Sequence, residues 1–394
     1  MKVLIDCTQI ARKKAGVGVY AFNMIRELIR VCPSPDWHLY LLVQDDDSDL
    51  LGKQHANVTV IPVRSKLFRI LPLRFLLEQI YIPYLSHKLG VDVVHSLHYS
   101  FPLFPMRAKK VVSIHDMTVF LMPEMHVLIK KYYFRFFIRA SARRNDDISL
   151  IFVSRSALDD YRELFPYAKT NNHVVLLGRS TKFHPELDPE QVARAQHRYG
   201  IVAPYLLFVG TIEPRKNLVR LVQAFSDLSV VSPESTLIIA GMKGWQYEDL
   251  FALVKQRGLE EKVRFLGFID EAEKPFLIKG AQVFVYPSLY EGFGIPVLEA
   301  LSCGTPTLTS NISAMPEVAG DAAVLVDPKN LDDIRRGLQL LMTDASLRAT
   351  LAQRSVKRAG MFDWRKTASQ TRDVYLVCLA NGTSKRAKVS TSVS

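Results

Sequence analysis

Long apolar runs are missing from this 394-residue chain. No stretch reaches the roughly 18 uninterrupted residues that a membrane-spanning helix needs. The greasiest segment, Phe68 to Leu85, is broken by Arg69, Pro72, Arg74, Glu78 and Pro83. The opening MKVLIDCTQI has no apolar core or small-residue cleavage site of a secretion signal. Cysteine is scarce: Cys7, Cys32, Cys303 and Cys378 are scattered and form no CxxC pair, which argues against a zinc ribbon or a disulfide framework. His95, His98 and His115 lack any companion ligand motif, so no metal site is expected. These absences predict a cytoplasmic, reduced protein. Acidic residues are also in deficit: 51 Lys and Arg against 39 Asp and Glu leave a formal charge of +12, which calls for an anionic partner. No nucleic-acid motif accompanies that charge, so phosphorylated small molecules or an anionic lipid surface are the better candidates.

What is present is an alternation of buried strands and helices, written twice. Lys2–Ile5 reads as a strand, followed by the glycine turn Gly16-Val17-Gly18 and a helix over Tyr20–Val31. Apolar runs follow at 38–43, 58–63, 91–95, 111–114 and 150–153. The pattern restarts with Tyr205–Val209, a helix over Leu218–Leu228, and strands at 237–240, 263–266, 283–286, 307–309 and 324–326. Strands alternating with helices indicate parallel, helix-covered sheets. The proline-containing stretch Gly178–Pro204 reads as a linker. The expected organisation is an N-terminal Rossmann-like acceptor domain over 1–180 and a C-terminal nucleotide-binding domain over 181–362. A helix over 363–380 then crosses back to the first domain, and a polar tail over 381–394 is read as disordered.

Two segments carry chemistry. Glu291-Gly-Phe-Gly-Ile-Pro-Val-Leu-Glu299 follows a strand and opens a helix that Gly304 can end. Gly292 and Gly294 let the backbone approach a ligand, and the N–H groups of Phe293, Gly294 and Ile295 face an anion at the helix start. Two carboxylates beside a phosphate make sense if each grips a neutral hydroxyl. The plainer alternative is a helix with favourable acidic residues. The second segment is Gly210-Thr-Ile-Glu-Pro-Arg-Lys-Asn217, where Arg215 and Lys216 sit at a sheet's carboxyl edge. Cations there can stabilise a departing diphosphate; the alternative is a solvated helix start. Asp45-Asp46-Asp47 looks like a metal-binding acidic motif but lies in the loop after an early strand, and reads as a solvated turn.

Together these segments resemble family 4 of the glycosyltransferases, whose fold is GT-B: two Rossmann-like parallel-sheet domains facing each other across a cleft. The first matches the family's Glu-x7-Glu motif and the second its donor-phosphate loop. GVGVY near the start, Ile114-His115-Asp116 and Gly241-Met-Lys-Gly244 extend the likeness over nearly the whole chain. The resemblance implies that Glu291 contacts the transferred sugar, Glu299 the ribose, and Arg215 and Lys216 the diphosphate. Phe293, Gly294 and Ile295 would offer backbone N–H groups, and His115 would face the donor sugar. Gly16 and Gly18 would admit the phosphates or acceptor, Gly210 and Thr211 would border the phosphate, and Met242 and Phe268 would frame the base. Thr211 stands where many relatives carry arginine, so Arg215 is expected to supply the second cation.

The resemblance also implies retention of configuration without a metal or other cofactor. LEQIYIPYLSHKLGVDVVHS and SIHDM look like the bacterial mannosyltransferase branch, implying GDP-mannose as donor and a glycan or lipid-linked acceptor in surface-polysaccharide synthesis. UDP-sugars, a non-catalytic nucleotide-sugar binder, a phosphorylase and an epimerase are the competing readings. The segment Lys130, Lys131, Arg135, Arg139, Arg143 and Arg144, interleaved with Tyr132, Tyr133, Phe134, Phe136 and Phe137, suits peripheral contact with the anionic inner leaflet. An ordinary core-packing helix explains it equally well.

Overall fold

The protein, seen in a computed structural model, is described for residues 1–10, 16–45, 55–68, 70–125, 127–143, 148–228 and 234–390; for 67, 68, 130 and 381–390 the description covers the backbone alone. Asp46, Asp47, Arg69 and Arg144 lie outside the described residues. The chain forms two units, residues 1–178 joined by 363–394, and residues 179–362.

Among the described residues the first unit holds a seven-stranded sheet in the order β3-β2-β1-β4-β5-β6-β7. Its strands are β1 (Lys2–Asp6), β2 (His38–Gln44), β3 (Val58–Val63), β4 (Val93–Ser96), β5 (Lys109–Ile114), β6 (Ile148–Phe152) and β7 (Asn171–Val174), all paired in parallel. Central strands are buried on both faces, which is why they read as unbroken apolar runs. The order reverses between β1 and β4. Loops diverge there at the carboxyl edge and leave a crevice, the usual ligand position in such sheets.

The second unit repeats the plan with six parallel strands ordered β10-β9-β8-β11-β12-β13. These are β8 (Tyr205–Val209), β9 (Thr236–Ala240), β10 (Val263–Gly267), β11 (Val283–Tyr286), β12 (Thr307–Ser310) and β13 (Val324–Val326). Here the reversal falls between β8 and β11, so the loops that leave these two strands frame the crevice.

Two expectations need adjustment. The stretch read as a linker contains a helix, Pro189–Arg198. Asp188 caps it by accepting from the Glu190 N–H at 2.9 Å, and Pro189 takes the first helical position, where its missing N–H costs nothing. The last helix runs Trp364–Ser390 and so continues beyond Leu379 on the backbone. Helical hydrogen bonds are local, and the stretch Lys385-Arg-Ala-Lys388 consists of helix formers.

That last helix belongs to the first unit. It packs on the helix Val17–Val31: Trp364 approaches Tyr20 with ring centroids 6.4 Å apart, and Arg372 donates to the Val31 carbonyl at 3.3 Å. Thr367 donates to the Leu176 carbonyl at 2.7 Å, and the Cys378 thiol lies 2.9 Å from the Ser149 hydroxyl. All four cysteines are free and buried.

Candidate active site

In the second unit the loop leaving β8 is fixed by its neighbours before any side chain acts. Gly210 N–H donates to the Ala240 carbonyl at 2.9 Å, and Ile212 N–H to that of Met242 at 2.9 Å. Gly241 has φ 151°, and a Cβ there would sit 1.8 Å from the Gly210 carbonyl oxygen, so no side chain fits. Pro214–Lys216 then forms one 3-10 turn, ended by Asn217 in the left-handed region at φ 60°. The Asn217 amide donates to the carbonyls of Pro287 (3.1 Å) and Pro328 (2.7 Å), tying this loop to those after β11 and β13.

The turn places Arg215 and Lys216 against Glu291. The Lys216 ammonium lies 2.6 Å from Glu291 Oε1 and 2.7 Å from the Tyr286 hydroxyl. The Arg215 guanidinium lies 2.8 Å from Glu291 Oε2 and donates to the Tyr290 carbonyl at 2.8 Å. On its other side it grips Glu213 Oε1 at 2.6 and 3.0 Å. The result is a continuous ionic chain, Glu213–Arg215–Glu291–Lys216, at the reversal point of the sheet.

Burial raises the energetic stakes. Burial alone would push the Glu291 carboxyl up, but Arg215 and Lys216 hold it down to about 2. Lys216 moves below its ordinary value, chiefly through burial and against the pull of Glu291. Arg215 is lowered by burial but raised further by Glu291 and Glu213, and stays charged. Tyr286 is pushed well above its usual range by burial and then by Glu291, so its hydroxyl is neutral. One carboxylate thus keeps two adjacent cations together in a medium where their repulsion is strong.

The segment after β11 also behaves as its glycines require. Gly294 adopts φ 103°, caps the helix Ile295–Ser302, and leaves its first turn without a side-chain cap. A Cβ at Gly294 would fall 2.2 Å from Met315 Cε. Phe293 is buried edge-on to Phe362, with centroids 5.9 Å apart. Glu291 N–H donates to the Ser313 hydroxyl at 3.1 Å, fixing the start of the segment.

Glu299 does not join this chain. It is buried inside the helix Ile295–Ser302 and paired with Lys274, whose ammonium lies 2.8 and 3.0 Å from its two oxygens. Burial pushes the Glu299 carboxyl up more strongly than Lys274 draws it down. Met242 and Phe268 follow the neighbouring strand ends of β9 and β10, joined where Gly241 N–H donates to the Gly267 carbonyl at 2.7 Å; both side chains are exposed, as is Thr211.

The remaining residues lie in the first unit. His115 directly follows β5, and its Nε2 lies 2.7 Å from the Leu97 carbonyl. A carbonyl only accepts, so Nε2 carries the proton and Nδ1 keeps a lone pair. Burial lowers its pKa, against the Leu97 hydrogen bond and Asp116, so the ring is neutral at pH 7. Tyr20 stands edge-on to it at 5.1 Å. Gly16 has φ 44° and caps the helix Val17–Val31, with open space where a Cβ would stand. Gly18 is not in a loop; it is buried in that helix's first turn. His95 is wholly enclosed and bonded to Tyr375 and Ser113. Among the described residues no three His, Cys, Asp or Glu side chains form a group that could hold a metal ion. Asp45 accepts from the Ser65 N–H at 2.9 Å.

Sequence reasoning missed Glu213, Tyr286, Lys274 and Ser313. Glu213 offered a signal, since it sits two residues before Arg215 inside the phosphate-loop segment. The other three are brought in by tertiary packing alone.

Comparison with known proteins finds a family match in each half of the chain. Residues 15–183 match the family described as Glycosyltransferase Family 4, and residues 191–358 match Glycosyl transferases group 1. The chain is 28% identical over 393 residues to the O-antigen chain mannosyltransferase B of Escherichia coli, covering 95% of this chain and 99% of that one. It is 26% identical over 331 residues to the O-antigen chain mannosyltransferase RfbU of Salmonella typhimurium, covering 83% and 87%. Anabaena Alr3699/HepE, solved in complex with UDP and glucose, shares the fold with TM-score 0.74 at 19% identity over 95% of this chain and 99% of that one.

Proposed function

The chain belongs to glycosyltransferase family 4, and from that premise we propose that it is a retaining mannosyltransferase using GDP-mannose, acting on a glycan or lipid-linked acceptor of bacterial surface polysaccharide. The observation that carries this reading is the carboxylate of Glu291 spanned by Arg215 and Lys216 at the sheet's reversal point. The mannosyl assignment is supported by the names of the relatives above.

The chemistry follows from the charges. The bond between the anomeric carbon and the diphosphate oxygen breaks, and negative charge grows on that oxygen. Arg215 and Lys216, held side by side by Glu291, meet that charge. The uncapped first turn of Ile295–Ser302 adds backbone N–H groups. Glu291 stays ionised and accepts from sugar hydroxyls. The acceptor oxygen bonds to the anomeric carbon on the face the diphosphate leaves, and its proton passes to the departing phosphate oxygen. The protein's own cations supply the stabilisation, so no metal is required in this scheme.

The second reading is a UDP-hexose donor, favoured by the complexes in which fold neighbours were solved. A panel of GDP-mannose, UDP-glucose and ADP-glucose separates the two by thermal shift and by transfer to isolated lipid-linked glycan. GDP-mannose should give the largest shift and an α-linked product. If no nucleotide sugar shifts the melting temperature or is consumed, the transferase reading is wrong.

A further inference from the structure

Two helical elements of the first unit leave apolar ridges uncovered. The segment Leu71–Leu76 enters a π-helical turn, Leu77–Tyr81, and continues as Ile82–Leu89. Leu76, Ile80, Tyr84 and Lys88 are exposed along it at four-residue steps. The helix Leu128–Ala142 does the same: Leu128, Tyr132 and Phe136 are exposed at four-residue steps, followed by Arg139 and, at its end, Arg143. Ile80, Tyr84, Leu128, Ile129 and Tyr132 are each more than half exposed. A single exposed apolar side chain needs no explanation; two aligned rows of them do.

The rows share one support. The Tyr133 hydroxyl donates to Glu78 Oε2 at 2.6 Å, and the rings of Phe75 and Phe137 lie 6.5 Å apart, so the two elements run side by side. Glu78 is fully buried. It also accepts from Ser100 at 2.7 Å and meets Arg74 at 2.9 Å. This bonding turns the acidic group inward and leaves the ridges outside.

Charge selects the occupant. Between residues 64 and 90 the one carboxylate is Glu78, and between 127 and 143 there is none. Both rows end in cations, Lys88 on one and Arg139 with Arg143 on the other. An acidic protein patch would match the cations but leave the apolar rows in water. An anionic bilayer surface satisfies both, because aliphatic and tyrosine side chains enter the headgroup boundary while Lys and Arg stay with the phosphates. No helix among the described residues is long and apolar enough to cross a membrane, so the contact is lateral. We propose that the paired ridges Leu76–Ile80–Tyr84 and Leu128–Tyr132–Phe136 seat the first unit on an anionic lipid surface. This inference does not depend on the donor or on catalysis.

The full chain is sedimented with vesicles of equal phosphatidylglycerol and phosphatidylcholine, and with phosphatidylcholine alone. It should pellet with the anionic vesicles and lose most binding at high salt. Ile80→Glu and Tyr132→Glu should each abolish pelleting while leaving the melting temperature unchanged. Arg139→Gln with Arg143→Gln should weaken binding about thirtyfold, from about 1 kcal/mol per cation near the surface. Equal pelleting with neutral vesicles, or wild-type binding by Ile80→Glu and Tyr132→Glu together, overturns the proposal. So does light scattering that shows a dimer dissolved by Ile80→Glu in a chain that binds neither vesicle, since the face would then be covered by a second copy.

Discussion

His95 and Tyr375 are 280 residues apart in sequence, yet the imidazole Nδ1 lies 2.7 Å from the tyrosine hydroxyl in the interior of the first unit. The other ring nitrogen is 2.9 Å from the Ser113 hydroxyl, which shares a hydrogen bond of 2.9 Å with Tyr20. Four elements are joined by this one neutral network. Burial, with a smaller push from His115, lowers His95 to about 3.

A pH dependence follows. A histidine whose folded pKa lies below its unfolded value of about 6.5 stabilises the fold fully above 6.5 and less as acid is added. Between pH 7 and 5 the cost from His95 alone is about 2 kcal/mol, because the unfolded chain binds a proton that the folded chain refuses. Urea titrations at both pH values should show this loss in the wild type and a shallower one in His95→Asn. His115 and His173 are also lowered by burial, so some slope persists in the variant. An unchanged slope would separate His95 from the acid response.

Glu291→Ala should reduce transfer by about 10²–10³-fold, the size of effect seen when one preorganised electrostatic group is lost. Nucleotide affinity, measured calorimetrically, should fall much less. Lys216→Ala should weaken both. Glu291→Ala also leaves Arg215 and Lys216 buried side by side, and a stability loss of about 3–5 kcal/mol is expected. Glu291→Gln keeps the volume and tests charge alone. Because the carboxyl is held at about 2, the stability it contributes is complete above about 4.3 and fades as pH falls towards 2. The stability gap between wild type and Glu291→Gln should therefore narrow only below that point. Wild-type turnover in either alanine variant would remove these residues from the site.

Gly294→Ala should be damaging twice over. The backbone angle costs about 1–3 kcal/mol for a residue with a Cβ, and that Cβ collides with Met315. Pairing it with Met315→Ala relieves the collision but not the angle. Donor affinity should stay low in the double variant even where the melting temperature partly recovers.

Transfer should survive exhaustive treatment with a chelator. Arg215 and Lys216 are the charges assigned to the diphosphate, so a complete loss restored by added manganese would contradict that assignment.

The central parallel strands were legible because both of their faces are covered, which turns each into a short unbroken apolar run. β7, Asn171–Val174, is half-buried and polar, and nothing in its composition announces a strand. Pro189 pointed the wrong way, since the same residue breaks a helix interior and opens a helix start. Glu291, Arg215 and Lys216 were readable from motif spacing, but their mutual ion pairs were not. The Glu299–Lys274 pair and the inward-turned Glu78 depend on which helices become neighbours. The π-helical turn at Leu77–Tyr81 adds one residue to a period that sequence patterns cannot resolve at that length.

The first unit's chain is interrupted: it leaves after Gly178 and comes back at Asp363. During synthesis, at about 5–20 residues per second, its sheet waits roughly ten to forty seconds for its closing helix to emerge. Throughout that interval Tyr20 and His95 lack Trp364 and Tyr375, and by its end the second unit has every residue it needs. The later-made half can therefore mature first, and a chain ended at residue 362 carries the whole second unit but a first unit without its closing helix.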